Sequence, residues 1–261
     1  ILLVEQNHFL GGYALSEEFK IDNSNSFEFI KKLENELSDF ENIRVKKNFS
    51  IIGIHDHSYL IGSENMEQME RNSQSSIRQR LWRIRAKHVI LATGAIERPL
   101  VFAGNDIPGV MLCSAALEFY KLYGVSPGDR VVVLTNNDSA YSSVIELFNA
   151  GISVPLVIDV REKSDGNLPL KAKKLGIRVE FSKAISKVIG KKKVKAVELC
   201  SVVGEGAVLE TIICDSVLMS GGWTSTLNLW SHCGGKIKWD SKLNTLVPDE
   251  SFPSINEFGR S

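Results

Sequence analysis

The chain has no net charge: 31 lysines and arginines stand against 31 aspartates and glutamates in 261 residues. That excludes nucleic-acid binding through a general phosphate-neutralising surface, which needs a net basic face. It has no apolar run approaching the roughly 18 residues of a membrane-spanning helix, so no span is expected. Cysteine is scarce, and Cys113, Cys200, Cys214 and Cys233 show neither a CxxC pair nor a His-pair spacing. Neither a disulfide frame nor a zinc site is expected, and the thiols fit a reducing compartment, the cytoplasm. No signal peptide is evident. The first residue is Ile, not Met, and the true N-terminus is expected to be missing. No spacing assembles a Ser/His/Asp nucleophile group or a pair of acid/base carboxylates, so no catalytic residue is assigned. The remainder is ordinary globular composition, 43% hydrophobic and 24% charged, with length for about two domains.

The apolar patterning predicts an α/β fold. Ile1–Val4 reads as a buried parallel strand ending at Glu5, with Gly11-Gly12 in the loop beyond. Residues 26–40 place Phe29, Leu33 and Leu37 on one helical face. Strands are predicted at 43–46, 49–54 and 58–61, with Asp56-His57-Ser58 as a hairpin turn, and a long loop at 63–80. Leu81–Arg85 alternates. Val89–Ala92 reads as a strand running into Thr93-Gly94. A helix at about 113–123 stops at Gly124. Strand, helix and strand follow at 131–134, 138–150 and 154–160, then a helix at 168–175, a strand at 177–181, a β-rich stretch over 183–214 and a last strand at 217–219. HVILATGAIERP (88–99) and DSVLMSGGWTST (215–226) echo one another. They are expected to be the two crossovers between an outer domain (1–100 and 221–261) and a nested one (101–220). Arg161–Lys195 carries 12 basic and 3 acidic residues. It is either a solvated face or a docking surface for an acidic subunit.

Three groups could carry nucleotide chemistry. Glu5 ends a strand as the ribose-binding acid of a dinucleotide fold does, but no G-x-G-x-x-G precedes it here, so it is either that acid or incidental. Thr93-Gly94 ends another strand where backbone can approach a cofactor. The third is a negative. The turn after Val131–Leu134 reads Thr135-Asn136-Asn137-Asp138-Ser139-Ala140, with Thr135 and Asn137 at the first two glycine positions. Asn137 obstructs a pyrophosphate, and Asp138 is placed to cap the helix and occupy the place an anion would take. The nested unit is therefore expected to bind no dinucleotide. His55-Asp56-His57 fits a turn better than a metal site, because alternate strand residues face opposite ways. Arg98-Pro99 is an anion contact or a crossover residue. Trp223 walls a cofactor cleft or plugs the domain junction.

LWRIRAKHVILATGAIERPLVFAGNDIPGVML (81–112), with VVVLTNNDSAY (131–141), SGGWTSTLNLWSHCGGKIKWD (220–240) and the Leu10-Gly11-Gly12 turn, strongly resembles the α subunit of heterotetrameric sarcosine oxidase. The ATGAIERP portion is shared with subunits of opine oxidases, hydrogen cyanide synthase and dye-linked amino-acid dehydrogenases such as the proline enzyme. The resemblance implies a Rossmann-like, disulfide-reductase-like fold of two dinucleotide-binding domains, with NAD in the outer one. It implies FAD and FMN in the holo-complex, associated with the β subunit, which oxidises an amine substrate, sarcosine. The products are glycine, a one-carbon unit and hydrogen peroxide. Smaller subunits complete the heterotetramer. A glycine-rich loop before Ile1 and a tetrahydrofolate-binding portion after Ser261 are implied, so the chain is expected to be a fragment. The resemblance carries over Glu5 to the NAD ribose, Gly11 and Gly12 beside the diphosphate, Thr93 and Gly94 beside the cofactor, and Ser50 and Ile51 to the strand passing the adenine. A non-catalytic NAD-holding scaffold is the reading from another class.

Overall fold

A computed structural model describes residues 1–16, 20–21, 24–66, 78–249, 251, 255–256 and 259–260. The chain divides into two compact units, one of residues 1–12, 20–96 and 224–261, the other of 13–19 and 97–223.

In the first unit β1 (Leu2–Val4) pairs in parallel with β4 (Arg44–Lys46). Between them lie the short strands β2 (Lys20–Ile21) and β3 (Ser24–Asn25) and helix α1 (Ser26–Ser38). Asn25 caps α1, its side-chain oxygen accepting from Glu28 N at 2.8 Å, which satisfies a donor the helix cannot. The antiparallel strands β5 (Phe49–His55), β6 (Tyr59–Asn65) and β7 (Gln79–Arg85) form a three-stranded sheet. The predicted turn at Asp56–Ser58 joins β5 to β6, with His57 at φ 60°. The expected loop at 63–80 is shorter at both ends, because β6 runs to Asn65 and β7 starts at Gln79; residues 67–77 lie outside the described residues.

Two expectations are corrected here. Ile1–Val4 is not buried: Leu2 and Leu3 are exposed, because among the described residues β1 has a hydrogen-bonded neighbour on one edge alone. Val89–Ala92 is not a strand. It has no ladder partner among the described residues, and Ile90 is 91% exposed. The strand β8 comes later, at Ala95–Glu97. An apolar run marks a segment suited to burial between neighbours, and the neighbours make the strand.

The second unit holds the parallel sheet that the patterning predicts. Its strands are β9 (Val110–Leu112), β10 (Arg130–Thr135), β11 (Ser153–Asp159), β12 (Val179–Phe181) and β16 (Ser216–Ser220), in the order β12-β11-β10-β16-β9. Helices α2 (Cys113–Tyr123), α3 (Ser139–Asn149) and α4 (Asn167–Lys174) contribute to the core on one face, with Val131, Val133, Val157 and Leu218. An antiparallel sheet of β13 (Lys183–Gly190), β14 (Val194–Ser201) and β15 (Val208–Ile213) packs on the other face against Val132, Leu134, Leu156 and Ile158. Alternation along β10 thus feeds two cores. Gly124 closes α2 in the left-handed conformation, φ 65°, its N–H reaching Phe119 O and Tyr120 O. At the other end of α2 the buried Glu97 accepts from Ser114 N at 2.8 Å and Ser114 Oγ at 2.7 Å, where the helix dipole favours a carboxylate.

The first unit resumes within β17 (Trp223–Ser225). It continues with α5 (Asn228–His232) and the pair β18 (Ile237–Asp240) and β19 (Thr245–Pro248), then closes with β20 (Ile255–Asn256) and β21 (Gly259–Arg260). Among the described residues no helix is long and apolar enough to cross a membrane.

Candidate functional site

In the first unit, Glu5 stands at the end of β1. Its N–H donates to Lys46 O and its carbonyl accepts from Phe49 N, both at 2.9 Å. The backbone thus brings it beside the start of β5, which holds Ser50 and Ile51. These two pair with Ser63 and Gly62. One carboxylate oxygen, Oε1, accepts from Asn7 N at 2.9 Å, a bond that fixes the side chain locally. Gly11 and Gly12 follow with φ of 111° and 51°, values that a residue with a Cβ seldom adopts. Thr93 donates through Oγ1 to Thr226 O at 2.7 Å, and Gly94 O accepts from Thr226 N at 2.9 Å. Gly94 has φ 65°, and a Cβ built on Gly12 or Gly94 would meet nothing within 4 Å. The backbone at both glycines is open. An acid at a strand end and two open glycine positions fit a dinucleotide. No described hydrogen bond joins the Glu5 group to Thr93 or Gly94.

The second unit presents the corresponding position at the carboxyl ends of β10 and β16, where the strand order reverses and such sheets take ligands. Here the crevice is laced shut. Asn137 Nδ2 donates to Ser220 O at 3.1 Å and to Ser220 Oγ at 2.9 Å, and Ser220 is fully buried. Ser139, the first residue of α3, donates to Asn137 Oδ1 at 2.6 Å and accepts from Trp223 Nε1 at 2.9 Å. The helix start that would face a pyrophosphate receives an indole instead.

Asp138 corrects a further expectation. It stands at the N-cap position of α3 but makes no side-chain cap bond. Its Oδ1 faces Arg161 Nη2 at 2.7 Å and accepts from Ser164 Oγ at 3.0 Å. The guanidinium draws the carboxylate away from the helix end.

Sequence reasoning missed the acid that belongs to this position. Asp159 ends β11, the strand after α3, where a ribose-binding carboxylate is found in a working unit. It is fully buried. Tyr141 Oη donates to it at 2.8 Å, and Arg161 donates through N, Nε and Nη2 at 3.1, 3.0 and 2.7 Å. Burial and the carboxylate push the Tyr141 hydroxyl up, and the bond to Asp159 raises Arg161. The spacing from Thr135 was the available signal. That Arg161 would occupy the acid was not visible, because it depends on the loop after β11 folding back.

Arg98 braces the passage at Gly221-Gly222: its N–H donates to Gly222 O at 2.8 Å and its carbonyl accepts from Gly221 N at 2.7 Å. A Cβ on Gly221 would lie 2.9 Å from Arg98 O, so glycine is required there. Trp223 packs edge-on against Tyr13, with centroids 4.6 Å apart at 83°. Among the described residues no group of three or more His, Cys, Asp or Glu could hold a metal.

No protein-family model matches the chain. It is 33% identical to the sarcosine oxidase subunit alpha of Rhizobium meliloti over 260 residues, which are 99% of this chain and 25% of that protein. It is 32% identical over 261 residues to the same subunit of Corynebacterium sp. strain P-1, covering 95% and 26%. The chain thus spans about a quarter of the length of these relatives. Among solved structures, L-proline dehydrogenase from P. horikoshii superposes with a TM-score of 0.69 at 24% identity, over 95% of this chain and 42% of that one. Thioredoxin reductase from T. acidophilum gives 0.68 at 16%, over 90% and 73%. The fold is the Rossmann-like, disulfide-reductase-like α/β fold.

Proposed function

Because the chain is homologous to sarcosine oxidase alpha subunits along nearly its whole length, we propose that it is the NAD-binding portion of such a subunit in a flavin-dependent, multi-subunit oxidoreductase. The observation that carries the placement of NAD is the contrast between two nucleotide positions. One has a strand-end acid and open glycines; the other is stitched from Asn137 to Ser220. The outer domain, 1–100 and 221–261, is the binding one, and the nested domain, 101–220, binds no dinucleotide. Glu5 takes the ribose hydroxyls. Gly11 and Gly12 lie beside the diphosphate, Ser50 and Ile51 pass the adenine, and Thr93 and Gly94 flank the cofactor. When bound, NAD supplies either a hydride-accepting ring or a purely architectural ligand. The residues of this chain bind and orient. Amine oxidation belongs to a partner β subunit with its FAD and FMN, and folate binding to a portion beyond this chain.

Mixing the assembled complex with sarcosine, proline, glycine and opines tests the reading. Sarcosine is the expected substrate, and faster turnover of proline or an opine overturns it. Absorbance during reduction separates the enzyme's two uses of NAD. Flavin bleaching with no NADH band makes the nicotinamide structural and this chain a scaffold.

A further inference from the structure

Within the second unit, the edge of the antiparallel sheet is left without a partner by the fold and without a role by the nucleotide reading. Among the described residues β15 pairs with β14 alone, and no strand takes its outer side. The ladder fixes which groups face outward. Cys214 N donates to Lys195 O at 3.2 Å, and Ala196 stands opposite Ile213. Bonded and non-bonded pairs alternate in an antiparallel ladder, so Thr211 and Ile213 turn their N–H and C=O groups away from β14. Arg130 Nε shows the direction by donating to Ile213 O at 2.8 Å. Ile212 is buried, whereas Val208, Leu209 and Ile213 are exposed, Ile213 by 72%. Strand edges are ordinarily guarded by charge, proline or a covering loop. Here the one charged side chain in the strand is Glu210, and Arg178 holds it through two bonds of 3.1 and 2.8 Å.

The Ile213 end of this edge is cationic. Lys191, Lys192 and Lys193 connect β13 to β14, and Lys195 adjoins Cys214. These lysines and Arg130 are exposed, and no described ion pair includes them. Elsewhere in the basic stretch Arg161 and Arg178 are paired with carboxylates, and Lys173 lies over the ring of Phe181. Asp215 is engaged by the N–H groups of Asp129 and Arg130 at 3.0 and 2.9 Å. We infer that the outer edge of β15 docks an extended acidic segment of a partner polypeptide by strand addition. A peptide backbone supplies the donors and acceptors that the outward groups of Thr211 and Ile213 match. A nucleic acid or a lipid surface answers the lysines but cannot continue a ladder. Alternate apolar side chains of the segment cover Ile213, and its carboxylates meet Lys195 and the lysine turn. A second copy of the chain fits less well, because its β15 brings a single carboxylate that Arg178 already holds. The inference does not depend on where NAD binds.

Amide exchange of the chain, followed by NMR, tests this with a synthetic peptide. The probe is an acetylated decapeptide alternating valine and glutamate, and the control carries lysine for each glutamate. With the acidic probe the Thr211 and Ile213 amides are expected to exchange about tenfold more slowly. The Glu210 and Ile212 amides, turned toward β14, are expected to hold. Raising the salt from about 0.05 to about 0.5 M should weaken binding about tenfold, since exposed charges are screened. Ile213→Lys puts a guarding charge on the edge and should abolish the slowing. If that variant also loses protection in β10, Lys195→Glu decides: weaker binding of the acidic probe upholds the docking edge, and unchanged binding overturns it. Unaltered exchange at Thr211 and Ile213 under millimolar probe overturns the inference, as does equal binding of the lysine peptide. Slowing of these amides by raised protein concentration alone also overturns it, making a second copy the occupant. Binding of phosphatidylglycerol vesicles or a DNA oligomer in place of the peptide overturns it too, leaving the lysines as a polyanion site.

Discussion

A single amide side chain, Asn137, closes the crevice at the ends of β10 and β16 by its bonds to Ser220. Asn137→Gly would restore the glycine that a pyrophosphate needs and remove the stitch to Ser220. It is expected to cost about 1–3 kcal/mol in urea unfolding, the range for stranding buried polar partners. It is also expected to gain no nucleotide affinity in titration, because Trp223 still occupies the start of α3 and Arg161 still covers Asp159. Recovery of binding by that one change would show the other two contacts to be idle. Arg161 carries a separate expectation. Arg161→Leu leaves the Asp159 carboxylate, with no exposed surface, without its cation, and about 3–5 kcal/mol of stability should be lost. Adding Asp159→Asn should recover most of it. Denaturation of the four members of that cycle measures the coupling. The glycine substitutions in TNND were legible from the sequence, since a motif position is occupied or it is not. The Arg161–Asp138 contact was not legible, since two residues 23 positions apart in the chain meet only through the path of a loop.

Among the elements, those with their own periodicity were legible. Helix α2 and its stop at Gly124 follow from the spacing and from the glycine's left-handed conformation. Gly124→Ala should lower stability by about 1 kcal/mol, visible as a lower melting temperature. The strands that failed are Ile1–Val4, which formed but with its leucines exposed, and Val89–Ala92, which did not form. In both, composition records what a segment would bury, and burial depends on neighbours that the local pattern does not contain. Strand β6 carries a pH dependence. Burial pushes the Glu64 carboxyl up, but bonds from Lys46 Nζ and Trp82 Nε1, both 2.7 Å, overcome this and hold it below its ordinary value. A folded value below the unfolded one means that the unfolded state binds protons first as pH falls. The contribution is therefore complete above the unfolded carboxylate value, about 4.3, and is lost as pH drops through the folded one. Urea unfolding from about pH 6 to 3 should steepen with this loss, and Glu64→Gln should flatten it; equal slopes would remove Glu64 from the account.

For the molecule as a whole, the fold class was legible, and the proposed division of labour between the two positions rests on different kinds of signal. The sealed position announces itself by wrong residues, whereas an open position is defined by what the backbone leaves empty. The chain by itself is expected to bind NAD weakly, since among the described residues β1 is paired on one edge alone and Val89–Ala92 has no ladder partner. Micromolar affinity by calorimetry would contradict this. The placement of sulfur has a consequence of its own. Cys113, Cys200 and Cys214 are buried, and burial pushes the thiols of Cys113 and Cys214 up, the latter to about 12. Burial raises the Cys233 thiol too, but that sulfur is partly accessible. Oxidants attack thiolates and need access to them, so peroxide added to the chain should sulfenylate Cys233 before the three buried sulfurs, as mass spectrometry of the trapped product would show.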